Sequence, residues 1–177
     1  NVIASPVQKR DIVAEMLRVL GECTSAFPGY SYFLSGNHDW YGGTCLLEML
    51  SGLPHAVVVT KPCVVGVGGS DAAMLLCPHS PVAAAVDRGA LVQEPSRVAF
   101  AHGEVAGGVL SSGSSVRSAA STLPYWLLNA VAKRDALLVL GHYHIPQEFL
   151  AKHGAQTVRC LCVGSPLCHD WSDECGH

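Results

Sequence analysis

The sequence has few charged residues and no excess of positive charge. Charged side chains make up 14% of its residues, and the formal net charge is −3. Apolar residues make up 49%, a fraction typical of a domain with a buried core, which argues against disorder. The low positive charge gives no support for a large basic surface that binds nucleic acid. It does not exclude DNA binding, because bound divalent cations add positive charge that the formal count omits.

The sequence also lacks paired cysteine motifs. It contains eight cysteines but no Cys-x-x-Cys pair, and several are scattered through apolar segments: Cys23, Cys45, Cys63 and Cys77. This distribution favours small buried thiols in a reducing compartment over a disulfide framework. A looser group lies near the end of the sequence: Cys168, His169, Cys175 and His177. A zinc site there is the alternative interpretation, although the spacing is irregular.

Long apolar runs and a signal peptide are missing as well. No apolar run reaches the roughly 20 residues that span a bilayer, and the best candidate, 55–69, is interrupted by Lys61 and Pro62. We therefore expect a soluble, cytoplasmic protein with no membrane partner. The sequence opens on Asn1 rather than Met and stops at His177 without a terminating element. We expect it to be an internal fragment of a longer protein.

Hydrophobic periodicity predicts helices and strands in alternation. A helix is predicted to begin at Ser5-Pro6-Val7-Gln8, with Ser as the N-cap and Pro at the first position, and to end at Gly21. Its apolar face comprises Ile12, Val13, Met16, Leu17 and Leu20. Further helices are predicted at 44–50, 81–87 and 123–133. Strands are predicted at 30–34, 56–60, 63–67, 97–101, 136–140 and 158–163, with 56–60 and 63–67 paired as a hairpin, and 73–77 is a further apolar run.

This alternation predicts one α/β domain over 1–177, with layered, mixed β-sheets flanked by helices. His38, His102 and His142 each follow the carboxyl end of a predicted strand. Loops at such strand ends are where open α/β sheets build their sites. The Gly- and Ser-rich segment 103–118 is interpreted either as a mobile loop beside that site or as an ordinary surface loop.

The spacing of His142 and His144 points to metal chemistry. Residues i and i+2 of an extended segment point to the same side, so two imidazoles can reach one dinuclear centre while Tyr143 turns away. Gly141 gives the backbone room to turn after Leu140. The alternative is two solvated loop histidines.

The Gly-Asn-His-Asp motif at 36–39 offers complementary groups. The Asn37 carbonyl is a neutral oxygen ligand for a divalent metal, and His38 beside it can donate a proton to a leaving group. Asp39 can hold that imidazole or a nearby backbone amide; the alternative is a turn with a capping Asp. His102 alone would be interpreted as a core histidine, whereas together with the other motifs it is a further ligand.

The order of these motifs resembles that of calcineurin-like metallophosphoesterases. Gly-Asn-His-Asp, then His102, then Gly-His-x-His at 141–144 is similar to the signature of that superfamily. The stretches His-Gly-Glu-Val-Ala-Gly at 102–107, Gly-His-Tyr-His-Ile-Pro-Gln at 141–147, Gly-Ser-Pro at 164–166 and Asp-Glu-Cys-Gly at 173–176 narrow the resemblance. They resemble the SbcD-type nuclease subunit of the DNA double-strand-break repair complex.

The resemblance implies a two-metal site. It assigns Asn37, His102 and His142 to one divalent ion and His144 to the other, with manganese the expected metal. His38 becomes the histidine that stabilises the transition state or protonates the leaving oxygen during phosphodiester hydrolysis. The implied partners are DNA, an SbcC-type ATPase and a second copy of the chain.

One part of the superfamily pattern is missing from the sequence. Asp-x-His and Gly-Asp motifs are expected before Asn37, but the only Asp in that stretch is Asp11, inside the first predicted helix. These carboxylates, which include the bridging ligand, are expected upstream of Asn1. The segment as given is therefore expected to be inactive alone.

Three functions remain open on the sequence. The first is a DNA nuclease subunit, favoured by the motifs at 164–166 and 173–176. The second is a metallophosphoesterase acting on a small phosphoester, favoured by the net charge of −3. The third is a noncatalytic scaffold of the same fold. Comparing the rates of hydrolysis of duplex DNA and of a generic phosphodiester distinguishes the first two functions. Metal titration tests the third.

Overall fold

The computed structural model describes residues 10–68, 72–81, 91, 96–110, 112–117 and 122–165. Several expectations therefore lie outside the described residues. These are the helix start at 5–8, most of the helix at 81–87, the Cys/His group at 168–177 and the Asp-Glu segment at 173–176.

Two α-helices, ten strands and two 3-10 helices are described. The helices are α1 (Arg10–Ala26) and α2 (Tyr125–Arg134), and the 3-10 helices span Asn37–Asp39 and Leu46–Gly52. The first five strands are β1 (Ser31–Leu34), β2 (Trp40–Tyr41), β3 (Thr44–Cys45), β4 (Ala56–Val59) and β5 (Cys63–Gly66). The others are β6 (Ala73–Cys77), β7 (Ser96–His102), β8 (Leu137–Gly141), β9 (Gln147–His153) and β10 (Gln156–Cys162).

A six-stranded mixed sheet forms the centre of the structure, in the order β5-β6-β7-β8-β10-β9. The four inner strands run parallel, and the two outer strands, β5 and β9, pair antiparallel with their neighbours. Helix α2 packs on this sheet through Leu127 and Val131, which are buried in the same cluster as Leu138 and Leu140. The predicted α/β class with a mixed sheet is confirmed.

The predicted hairpin between 56–60 and 63–67 is wrong. Strand β4 pairs parallel with β1 in a separate two-stranded sheet, whereas β5 pairs antiparallel with β6 in the large sheet. The link between β4 and β5 contains Lys61 and Pro62, and tight hairpins need residues that accept positive φ, usually Gly or Asn. Both apolar runs do form strands, but the residues between them favour separate sheets over a tight turn.

Helix α1 ends later than predicted and packs differently near its first described residues. It continues beyond Gly21 to Ala26. A Cβ added at Gly21 would lie 3.5 Å from Leu53, so the helix packs closely at this point, and buried Thr24 extends the packed face. Ile12, predicted to face inward, is 54% exposed. Met16, Leu17 and Leu20 do pack on a small second core.

Two more segments differ from prediction. The helix predicted at 44–50 is strand β3 followed by a 3-10 helix, in which Leu47 and Leu50 are buried and Leu46 is half-buried. Strand β9 is absent from the prediction because it follows Pro146 and contains no β-branched residue. Neither described helix is long and apolar enough to cross a membrane.

Candidate functional site

Three histidines lie at the same edge of the large sheet. Strands β6, β7 and β8 run parallel, so their carboxyl ends meet at one edge. His102 is the last residue of β7, His142 directly follows β8, and His79 lies two residues beyond the end of β6. The fold therefore delivers one histidine from each of three adjacent strands.

His102 is the buried centre of this group. Its side chain is largely enclosed, at 8% exposure, and its ring centroid lies 5.4 Å from that of His142. Burial is the main cause that lowers the pKa of His102 to about 3, with a smaller contribution from nearby positive charge. The imidazole is therefore neutral at neutral pH, which is the state that binds a metal.

The Gly-Asn-His-Asp turn is attached to the large sheet through His79. The backbone N–H of His79 donates to the Ser35 carbonyl over 2.8 Å, while Ser35 Oγ and Trp40 Nε1 both donate to the His79 carbonyl, over 2.7 and 3.0 Å. These bonds bring Asn37 to the edge of β7, where its Oδ1 lies 2.9 Å from His102 Nε2. Residues from two sheets whose strands do not pair with each other thus contribute to one site.

His79 carries no role in the predicted site, yet it lies with the site histidines. Burial and the positive charge of His142 lower the pKa of its imidazole. The sequence does contain a signal for this position, since His79 closely follows the apolar run 73–77, which forms β6.

Asp39 and His38 have contrasting environments in the same turn. Asp39 is fully buried, and its Oδ2 accepts a hydrogen bond from the Gly36 backbone N–H over 2.7 Å. Of the two roles predicted for Asp39, the structure shows the hold on a backbone amide. His38 is exposed and reaches the surface of a cavity of about 280 Å³.

His142 and His144 also line that cavity, although His142 lies in a bend and not in the extended segment on which the prediction is based. Its walls comprise His38, Glu104, Leu110, Ser112, His142, Tyr143 and His144. Tyr143 between them is buried, at 2% exposure. His142 has a φ of 80°, a left-handed conformation that costs free energy in a residue with a Cβ and is often found at functional sites.

Hydrogen bonds from two side chains hold the described part of segment 103–117 beside the cavity. The Tyr143 hydroxyl accepts from the Val105 N–H over 2.7 Å and donates to the Val105 carbonyl over 2.9 Å. Gln147 makes a matching pair with Val109, at 2.8 and 2.7 Å. A backbone bridge also joins Val109 to Ser115, so the described part is an ordered loop at the site.

Glu104 is a site residue to which the sequence analysis assigns no role. Its Oε1 lies 3.1 Å from His142 Nε2, and both side chains are about one-quarter exposed, at 23% and 24%. In the sequence it stands only as a variable position of the motif that begins at His102.

The donor atoms present suit a divalent cation, although the described residues contain no ready-made cluster. Among them, no three His, Cys, Asp or Glu side chains are grouped as metal ligands. The pairs Asn37–His102 and His142–Glu104, at 2.9 and 3.1 Å, are instead spaced as hydrogen bonds. In an octahedral site with bonds of about 2.1 Å, adjacent ligand atoms are also roughly 3 Å apart. Imidazole nitrogen with amide and carboxylate oxygen is a donor set for borderline or hard divalent metals.

Comparison with models of known protein families gives no match to the chain. No curated protein matches its sequence either. The resemblance to calcineurin-like enzymes therefore rests on the sequence motifs alone.

Proposed function

We propose that this chain forms part of a two-metal phosphoesterase of the calcineurin-like type, acting on the phosphodiester bonds of DNA. The observation that supports the proposal is that residues from three separate motifs lie close together. Asn37, His102 and His142 come from distant parts of the sequence, yet the Asn37 amide lies 2.9 Å from His102 and the two histidine rings are 5.4 Å apart.

The proposed roles follow from burial and position. Bound divalent ions would supply Lewis-acid activation of water and neutralise charge on the phosphate. His102 and Asn37, held rigidly at the edge of the sheet, would bind one ion together with His142, and His144 would bind the other. His38 is exposed on the same cavity, where it can donate a proton to a leaving oxygen without being a ligand.

Completion of the site requires carboxylate motifs that residues 1–36 do not contain. In the proposed family, Asp-x-His and Gly-Asp motifs supply them, and Asp11 is the only Asp before Asn37. Turnover is therefore proposed for a protein in which such groups complete the layered fold and the site. Metal binding by the residues described here is proposed for the chain itself.

A second candidate is hydrolysis of a small phosphoester. The net charge of −3 and the modest cavity volume of about 280 Å³ favour a compact substrate. DNA as substrate, an SbcC-type ATPase and a second copy as partners rest on the motifs at 164–166 and 173–176. Rates on linear duplex DNA and on a nitrophenyl phosphodiester with Mn²⁺ decide between the two, measured on the protein with its carboxylate motifs.

The proposed site is tested directly by Mn²⁺ titration calorimetry on the chain. Asn37→Ala and His102→Ala should each weaken binding by about 10-fold or more. Their effects should be less than additive in the double variant, because both would serve one ion. Asn129→Ala, on helix α2, is the matched control and should leave binding unchanged.

His38→Ala separates the catalytic role from the metal role. It should abolish turnover in the completed protein and leave Mn²⁺ affinity nearly unchanged, whereas loss of metal would contradict the assignment. A wild-type chain that binds no Mn²⁺ would favour the noncatalytic scaffold.

A further inference from the structure

We propose that Glu104 supplies a carboxylate ligand to the ion bound by His142. This inference rests on the proposed function, since it concerns a residue of the same metal site. The motif resemblance assigns no role to this position, which is variable in the pattern that begins at His102.

The geometry places the Glu104 carboxylate where a ligand is needed. Its Oε1 lies 3.1 Å from His142 Nε2, the spacing of neighbouring ligand atoms around one cation with bonds of about 2.1 Å. Both side chains line the cavity that His38 and His144 also face.

The backbone at Glu104 is fixed on both sides, so the side chain has a defined origin. The Glu104 N–H donates to Thr122 Oγ1 over 2.7 Å, and its carbonyl accepts from the Thr122 N–H over 3.0 Å. The preceding Gly103 is packed so tightly that a Cβ there would lie 2.7 Å from Leu123. The following Val105 is held by Tyr143.

Within residues 1–177, which lack the carboxylate motifs of the proposed family before Asn37, charge balance favours a carboxylate at this point. The other assigned ligands, an amide and three imidazoles, are neutral, whereas hard divalent cations prefer anionic oxygen. Asp39 is turned to the Gly36 amide. Among the described residues that line the cavity, Glu104 is the one with a carboxylate.

Mn²⁺ calorimetry and Co²⁺ absorption spectra on the full chain test the inference. Glu104→Gln, which keeps size and hydrogen bonding but removes the charge, should weaken Mn²⁺ binding by about 10- to 100-fold and change the Co²⁺ visible bands. Glu148→Gln is the matched control, because Glu148 is exposed on β9 and pairs with Arg159. It should bind both metals as the wild type does.

The outcomes separate this inference from the proposed function. If the wild type binds no Mn²⁺, the proposed function itself fails. If the wild type binds and Glu104→Gln binds equally well or more tightly, with unchanged Co²⁺ bands, Glu104 is no ligand. A weaker affinity with unchanged Co²⁺ bands also overturns the proposal, because it means that Glu104 only orients His142. Should Glu104→Gln fail to fold, Glu104→Asp is measured instead. Its shorter side chain withdraws the carboxylate from the ion, so the Mn²⁺ affinity should fall. An unchanged Mn²⁺ affinity would overturn the proposal.

Discussion

Gly141 lies directly beside His102, its partner in the parallel pairing of β7 and β8. A Cβ at position 141 would stand 2.9 Å from His102 Nδ1, closer than side-chain packing allows. The glycine of the Gly-His-x-His motif is thus needed for the neighbouring imidazole. From the sequence, its predicted role is only to give the backbone room to turn.

Gly141→Ala should therefore displace His102 from Asn37. We expect a loss of about 1–3 kcal/mol in the free energy of unfolding from overpacking, measured by urea denaturation, together with weaker Mn²⁺ binding. Gly66→Ala is the control, since Gly66 also lies in a strand but a Cβ there meets no atom within 4 Å. Equal effects of the two substitutions would contradict the close approach.

The left-handed conformation of His142 should be visible in stability. His142 has a φ of 80°. The free energy of unfolding, measured in urea, should therefore be about 1 kcal/mol higher for His142→Gly than for His142→Ala, because glycine adopts this conformation freely. The comparison removes the same imidazole in both variants. At His153, which is in strand β9, the order should reverse, and the same order at both positions would argue against strain at His142.

The hydroxyl of Tyr143 should stabilise the loop that carries Glu104. Tyr143→Phe removes both bonds to Val105 and leaves a buried amide without its acceptor, which should cost about 1–3 kcal/mol. Hydrogen exchange of the Val105 amide should accelerate as well. Tyr41→Phe, at a side chain that is 65% exposed, should change neither quantity.

The cysteines should differ sharply in reactivity. Burial raises the pKa values of Cys77, Cys160 and Cys162 to about 12, and alkylation requires the thiolate. With iodoacetamide near pH 8, peptide mapping should show Cys23, which is exposed, modified long before these three. In denaturant the four rates should converge, whereas similar rates in the native state would contradict the fold.

Local sequence patterns were sufficient to locate most strands and the ends where site residues emerge. The runs before His102 and His142 are continuous and apolar, as buried parallel strands require, and they form β7 and β8. His102 and His142 could be predicted to meet because parallel strands place their carboxyl ends together. Asn37 follows β1 of a separate sheet, and hydrogen bonds of Ser35 and Trp40 to His79 bring it to them. Their roles in binding and catalysis stay predictions.

Contacts between residues far apart in the sequence determined the features that local patterns did not predict. The sequence by itself determined most of the segments that are strands, because alternation and apolar runs are local properties, but it missed β2, β3 and β9. Only tertiary structure decided that β4 pairs with β1, that His79 joins the site and that Glu104 reaches His142. Pairing, burial and close approach depend on residues far apart in the chain, and no local pattern records them.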